Sequence, residues 1–291
     1  MKRTEFNSKF RQHAKEVLSP TRGDRDFVSA VYGAFRNVLG NNNCIQIGSF
    51  PRFTTTTPIH DLDILYFAGQ YDPRGVNPTN VLQELQREIQ SSFENPTKYS
   101  HSISLQTHSV TVSFIENGDE VFSVDIVPAY VSGSKNEFGD DVYLVPELTN
   151  IGHSKRKAYY AEHLQEHLPI TWIKSDPRGY ISVAQSINER NEDFRKAVKF
   201  VKAWKFGCKD MHDDFKLKSF HIEQVITGYF QDDPSLDLFG AAFKFFSELH
   251  NVISQPQIRD RANAGKFIDD YLEELTEEQK QKMLCVIGFS F

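Results

Sequence analysis

Residues 48–63 read GSFPRFTTTTPIHDLD, and residues 124–129 read VDIVPA. The first stretch opens with Gly48-Ser49 directly after Cys44 to Ile47, a short run that reads as a strand. A small turn in that place presents backbone N–H groups to a phosphate. The stretch closes on Asp61-Leu62-Asp63, and a strand puts carboxylates two residues apart on one face. In the second stretch Phe122, Val124 and Ile126 share a face, which leaves Asp125 on the other. The pattern predicts one sheet with three aspartates on its uncovered side. Oxygen donors gathered in this way suit Mg²⁺.

Upstream, apolar spacing predicts helices over 5–18 and 24–39, separated by Ser19-Pro20, with Gly40 and three asparagines stopping the second. Ile59 to Phe67 is expected as a strand, and Thr79 as the cap of a helix carrying Val81, Leu82, Leu85 and Ile89. Strands over 102–107 and 109–115 precede an Asn117-Gly118 turn and a return strand, Val121 to Val127. Residues 131–185 are rich in turn formers and read as a crossover. A short helix near 155–167 and an extended stretch from Pro169 to Pro177 are expected inside it. From 186 onward the pattern is helical, with Phe194, Ala197, Val198, Val201 and Trp204 on one stripe. Ser219 is expected to cap a helix, Pro234-Ser235 to start another, and Thr276 to Gln279 to form a capping box. The fold class is therefore mixed α+β. It comprises a core over 1–150 with a small mixed sheet backed by helices, a crossover over 151–185 and a helical lobe over 186–291. The active site is expected in the cleft between core and lobe.

The chain has 291 residues and a formal net charge of −6, which argues against non-specific wrapping of nucleic acid. Its three cysteines, Cys44, Cys208 and Cys285, are too scattered for a disulfide framework and suit a reducing cytoplasm. No apolar run approaches a membrane span, and the first residues lack the apolar stretch of a secretion signal. A cytoplasmic protein without a membrane partner is expected.

Three carboxylates on one face repel one another. At ~4 Å each like pair costs about 1 kcal/mol in water and about 4 kcal/mol at an effective dielectric near 20. Their immediate sequence offers no cationic partner, so divalent cations are the simplest way to keep the cluster. That points to nucleotidyl transfer, with Asp61 and Asp63 as metal ligands and Asp125 on the ion nearest the nucleophile. Asp-x-Asp alone is usually a solvated strand face, and Gly-Ser alone is a turn. The conjunction of both with a third Asp on a later hairpin strand carries the assignment.

These residues resemble the DNA polymerase β nucleotidyltransferase superfamily. In detail they are similar to the cGAS/DncV-like nucleotidyltransferases (CD-NTases, SMODS type) of bacterial CBASS antiphage defence. Trp172 to Pro177, Asn191 to Lys205 and Lys218 to Glu223 match the helical half of that family, and the resemblance covers roughly 25–255. It implies synthesis of a cyclic di- or trinucleotide messenger from nucleoside triphosphates, with release of pyrophosphate. Carried over by position, Gly48 and Ser49 would contact phosphates and Asp61, Asp63 and Asp125 would hold two Mg²⁺ ions, with Mn²⁺ as a substitute. Lys202 would reach the triphosphate, Ser219 would stand beside it, and Phe220 would stack on a base. The downstream effector would bind the product and not this protein.

Arg195 and Lys199 share a helix stripe with Lys202 and read as solvated surface, and His60 reads as a loop residue. Phe53 stands near a position where the family often carries a second glycine. Arg259 and Arg261 flank Asp260 where relatives commonly have Asp-Pro. The clustered cysteines of the animal DNA sensor are missing, so activation by double-stranded DNA is not expected. Two alternatives share the pattern: a linear-oligonucleotide or tRNA 3′-end nucleotidyltransferase, and an inactive scaffold of the same fold.

Overall fold

Alternation along two strands places the acids. Leu62 and Ile64 of β2 (Asp61–Gly69) and Val124 and Ile126 of β5 (Asp119–Lys135) are fully buried on one side of the sheet. Asp61, Asp63 and Asp125 therefore point to the other. The strands run parallel, with Leu62 beside Val124, Asp63 beside Asp125 and Ile64 beside Ile126. β1 (Cys44–Ile47) flanks β2, while β4 (Val110–Glu116) and β3 (Ser100–Leu105) continue beyond β5, all antiparallel to their neighbours. In the computed structural model the described residues are 2–69, 73, 75–148, 170–212 and 214–285.

The sheet has seven strands, because the far end of β5 pairs with β6 (Asp141–Leu148), which pairs with β7 (Ile170–Ser175). The sequence reading treats this turn-rich region as connection. Its burial explains why: Val142, Tyr143, Val145 and Leu148 are buried in runs that break the period of two. The short helix expected near 155–167 lies outside the described residues.

Two helices cover the apolar face. α2 (Arg22–Leu39) contributes Val28, Val31, Phe35 and Leu39, and α3 (Pro78–Ser92) contributes Leu82, Leu85 and Ile89. Thr21 and Asp24 cap α2 reciprocally. Asn77 caps α3, in place of the expected Thr79, because Pro78 takes the first helical position. Asn77 accepts the Thr79 N–H at 2.9 Å.

The helical lobe contains α4 (Pro177–Arg190), α5 (Asp193–Met211), α6 (Ser219–Asp232), α7 (Leu238–Ser254) and α8 (Glu277–Cys285). Phe194, Val198, Val201, Ile222, Ile226, Phe245 and Leu249 fill its core. Ser219 is the first residue of α6 and not its cap; Lys218 takes that place, with no side-chain capping hydrogen bond. α7 is capped by Asp237, past the expected Pro234-Ser235 start. The Thr276–Gln279 capping box is present, with bonds of 3.0 and 3.2 Å. α1 (Arg3–Glu16) packs on this lobe, where Arg11 forks onto Asp193 at 2.7 and 2.6 Å. No helix among the described residues is long and apolar enough to cross a membrane.

Under α6 the Lys218 N–H donates to the Tyr271 hydroxyl (3.1 Å), which shares a hydrogen bond with His221 Nδ1 (3.0 Å). The other ring nitrogen, Nε2, lies 3.6 Å from Asp269. Burial holds the His221 imidazole neutral well below its ordinary value of 6.5, against the opposing pull of Asp269. The unfolded chain binds a proton near pH 6.5 that the folded chain refuses, so stability is present above that pH and lost as pH falls below it. Urea unfolding at pH 5.5 should show a loss of about 1 kcal/mol relative to pH 7 from this group. His221→Gln should flatten that part of the slope; an unchanged slope would contradict the neutral assignment.

Candidate active site

Gly48 ends β1 and turns the chain at the edge of the acid cluster. Its φ is +73°, a left-handed value that favours glycine. Ile47 lies opposite Asp63 in the ladder, and a Cβ on Gly48 would stand 1.8 Å from Asp63 Oδ2. The next residues fold back on themselves. Phe53 N–H donates to Phe50 O (3.0 Å), Thr54 N–H donates to Ser49 O (3.1 Å), and the Ser49 and Thr55 hydroxyls meet at 2.7 Å. Phe53 has φ +60°, a left-handed value uncommon for a residue with a side chain. Its exposed ring lies under the Arg195 guanidinium at 4.8 Å.

Asp63 and Asp125 are register neighbours, both half-buried, and Asp61 is exposed. Burial, then the Asp61 and Asp125 charges, push the Asp63 carboxyl up to about 7. The Thr111 hydroxyl donates to Asp125 Oδ1, and the Ser109 hydroxyl reaches the same atom at 3.3 Å. As placed, no three His, Cys, Asp or Glu side chains among the described residues are drawn together tightly enough to hold a metal ion. The donor set nonetheless fits Mg²⁺ or Mn²⁺. It is carboxylate oxygen only, and burial, reinforced by the Asp61 and Asp125 charges, holds the Asp63 carboxyl up near neutrality, a burden that a shared cation would lift.

The facing wall comes from α5 and α6. Lys202 Nζ donates to Glu223 Oε2 (2.8 Å) and to Thr54 O (3.2 Å). Arg52 Nε donates to Glu223 Oε1 at 2.5 Å, and Thr54 Oγ1 donates to Oε2 at 2.8 Å. Burial by itself would raise the Glu223 carboxyl; the Arg52 and Lys202 charges override it and hold it at about 2. One turn further along α5, Lys205 Nζ donates to Ser219 Oγ (3.0 Å), and burial with Lys209 and Lys202 nearby pushes its ammonium down to about 8. The half-buried Phe220 ring meets Tyr180 edge-on at 5.0 Å and the Arg52 guanidinium at 5.2 Å.

These walls enclose a cleft of about 990 Å³ that Gly48, Ser49, Asp61, Asp63, Lys202, Ser219 and Phe220 all line. Asp125 is the ladder neighbour of Asp63 but is not among the residues that line the cleft. His60 is exposed on the cleft rim, 6.0 Å from the Phe206 ring. Arg195 and Lys199 differ from their reading as solvated surface. Both are half-buried; Arg195 donates to Arg52 O at 3.0 Å and Lys199 to Ser19 Oγ at 2.8 Å. Their helix face packs on the loop after β1 and on the end of α1. The sequence reading missed Arg52, Lys205 and Glu223. A signal for Glu223 existed, because it is one carboxylate inside the apolar stripe of Ile222, Val225 and Ile226.

No protein-family model matches the chain. It is 24% identical over 264 residues, 90% of its length and 68% of the relative's, to the cyclic AMP-AMP-AMP synthase of Escherichia coli (strain MS 115-1). It is 22% identical over 248 residues, 75% of its length and 66% of the relative's, to a probable cyclic nucleotide synthase of Bacillus cereus (strain VD146). The chain thus spans about two thirds of these relatives. Among solved structures, the Bradyrhizobium diazoefficiens CD-NTase CdnG in complex with GTP superposes with a TM-score of 0.63 at 12% identity, covering 97% of this chain and 87% of that one. The fold is shared.

Proposed function

We propose that this chain is a cGAS/DncV-like nucleotidyltransferase that joins nucleoside triphosphates into a cyclic di- or trinucleotide with release of pyrophosphate, a reading that its sequence relatives and fold support. The observation that carries this reading is the pairing of Asp63 with Asp125 on parallel strands, beside a glycine turn that leaves no room for a side chain. Gly48 and Ser49 offer backbone N–H groups to the phosphates. Asp61, Asp63 and Asp125 would hold two Mg²⁺ or Mn²⁺ ions, which when bound polarise the phosphate and lower the pKa of the attacking hydroxyl. Asp125 would take the ribose hydroxyl's proton, and its carboxylate accepts from Thr111 and Ser109. The wall bearing Lys202, Lys205 and Ser219 faces the triphosphate tail with positive charge. The product acts as a second messenger in antiphage signalling.

Incubation with all four ribonucleoside triphosphates and Mg²⁺ or Mn²⁺, followed by mass spectrometry, tests the reading. A cyclic or linear oligonucleotide made without an acceptor strand supports nucleotidyl transfer, and the product mass separates ring from chain. No product under any combination would refute it. Phe220→Ala should weaken nucleotide binding by ~1–3 kcal/mol, the worth of one base-stacking contact. Calorimetry against a non-hydrolysable triphosphate checks this, and unchanged affinity would remove Phe220 from the base site.

A further inference from the structure

Glu223 lies behind the cleft wall, against the lining residues Arg52, Thr54 and Lys202, with 1% of its side chain exposed. It stands on α6, yet it accepts from the loop after β1 through Arg52 and Thr54 and from α5 through Lys202. An ammonium has three donors. Those of Lys202 are directed at Glu223 Oε2 (2.8 Å), Thr54 O (3.2 Å) and Thr54 Oγ1 (3.4 Å). Arg52 likewise turns its Nε to Glu223 while its guanidinium face rests on Phe220. Both cations line the cleft, and both are almost fully buried. They are therefore fixed charges and not swinging arms.

We propose that Glu223 is a positioning residue for the transfer: it pins Arg52 and Lys202 as a preorganised positive edge beside the polyphosphate and keeps them from closing around it. The inference rests on the nucleotidyltransferase reading. The formal charge of the three side chains is +1 with Glu223 ionised and +2 without it. Charges already in place stabilise a transition state without reorganising. Cations released to wrap the phosphates would bind substrate and departing pyrophosphate alike, which tightens binding without lowering the barrier.

Glu223→Gln keeps the shape and an acceptor oxygen but removes the charge. Against α,β-methylene-ATP with Mg²⁺, the variant is expected to bind three- to tenfold more tightly, on the order expected for one added charge at the site. Its kcat should fall by about 10²-fold, the scale of a small misplacement. KM should fall with it. A merely structural role would lower thermal stability and lose affinity and turnover together, and that outcome overturns the inference. The double variant Lys202→Gln/Glu223→Gln restores the net charge of +1 and leaves Arg52 as the one cation without its carboxylate, and it decides the matter should the single variant not fold. Turnover reduced by about 10²-fold with affinity within about threefold of wild type supports pinning. Wild-type turnover in the double variant, or affinity lost in step with turnover, overturns it. Wild-type protein that neither binds the analogue nor makes product would refute the nucleotidyltransferase reading itself, an outcome distinct from an active wild type with an indifferent Glu223.

Discussion

Alanine at Asp61 or Asp63 is expected to abolish oligonucleotide synthesis, by at least about 10³-fold, while the protein stays folded. The loss follows from removing a ligand whose bound ion is worth several kcal/mol of transition-state stabilisation. The retained fold follows from the geometry. Asp61 is exposed, and Asp63 sits where burial and two like charges already push its carboxyl up to about 7. Deleting one member of a repelling trio relieves strain in the metal-free protein, so its melting temperature should hold or rise. Labelled triphosphates measure the first effect and a thermal melt the second. Synthesis that survives in both single variants would sink the metal assignment. Activity lost only together with stability would demote the acids to structural residues.

Gly48→Ala should be nearly as damaging to turnover, for a different reason. The new methyl would meet Asp63 at 1.8 Å from Oδ2, 2.8 Å from Cγ and 3.1 Å from Cβ. One of the two must move, and the carboxylate is the freer. A displaced ligand of this kind costs about 10²-fold or more in rate. The left-handed backbone adds about 1 kcal/mol of strain, so stability should fall by about 1–3 kcal/mol. Gly139 provides the control. Its φ is +83°, and an added Cβ there would meet nothing within 4 Å. Gly139→Ala should share the backbone penalty and keep the activity. Equal rates in both alanine variants would show that Gly48 serves the backbone turn alone and not the placement of Asp63.

The acid face was legible in the sequence because β2 and β5 alternate cleanly, apolar residues on one side and carboxylates on the other. Helices α2 and α5 were legible for the same reason at their own period. β6 was not, since its buried residues come in pairs and mimic no period. The cap of α3 was misplaced by two residues because Pro78 shifts the helix start toward Asn77. The Arg52–Glu223 pair joins residues 171 positions apart, and no local pattern carries that information. Lys202 was singled out by the family resemblance and not by its helix stripe, and its partner could be named only once α5 and α6 lay side by side.

The parallel ladder that seats Asp63 next to Asp125 also sets where this protein tolerates change in length. Slipping either strand by one residue would swing its acid into the hydrocarbon layer beneath α2 and α3 and lift a leucine, isoleucine or valine into the cleft. Insertions between the two strands, in the loops that run from β2 to β5, leave that alignment untouched. Homologues and designed chimaeras should therefore vary freely there. A single added or deleted codon inside residues 61–66 or 122–127 should be lethal to activity.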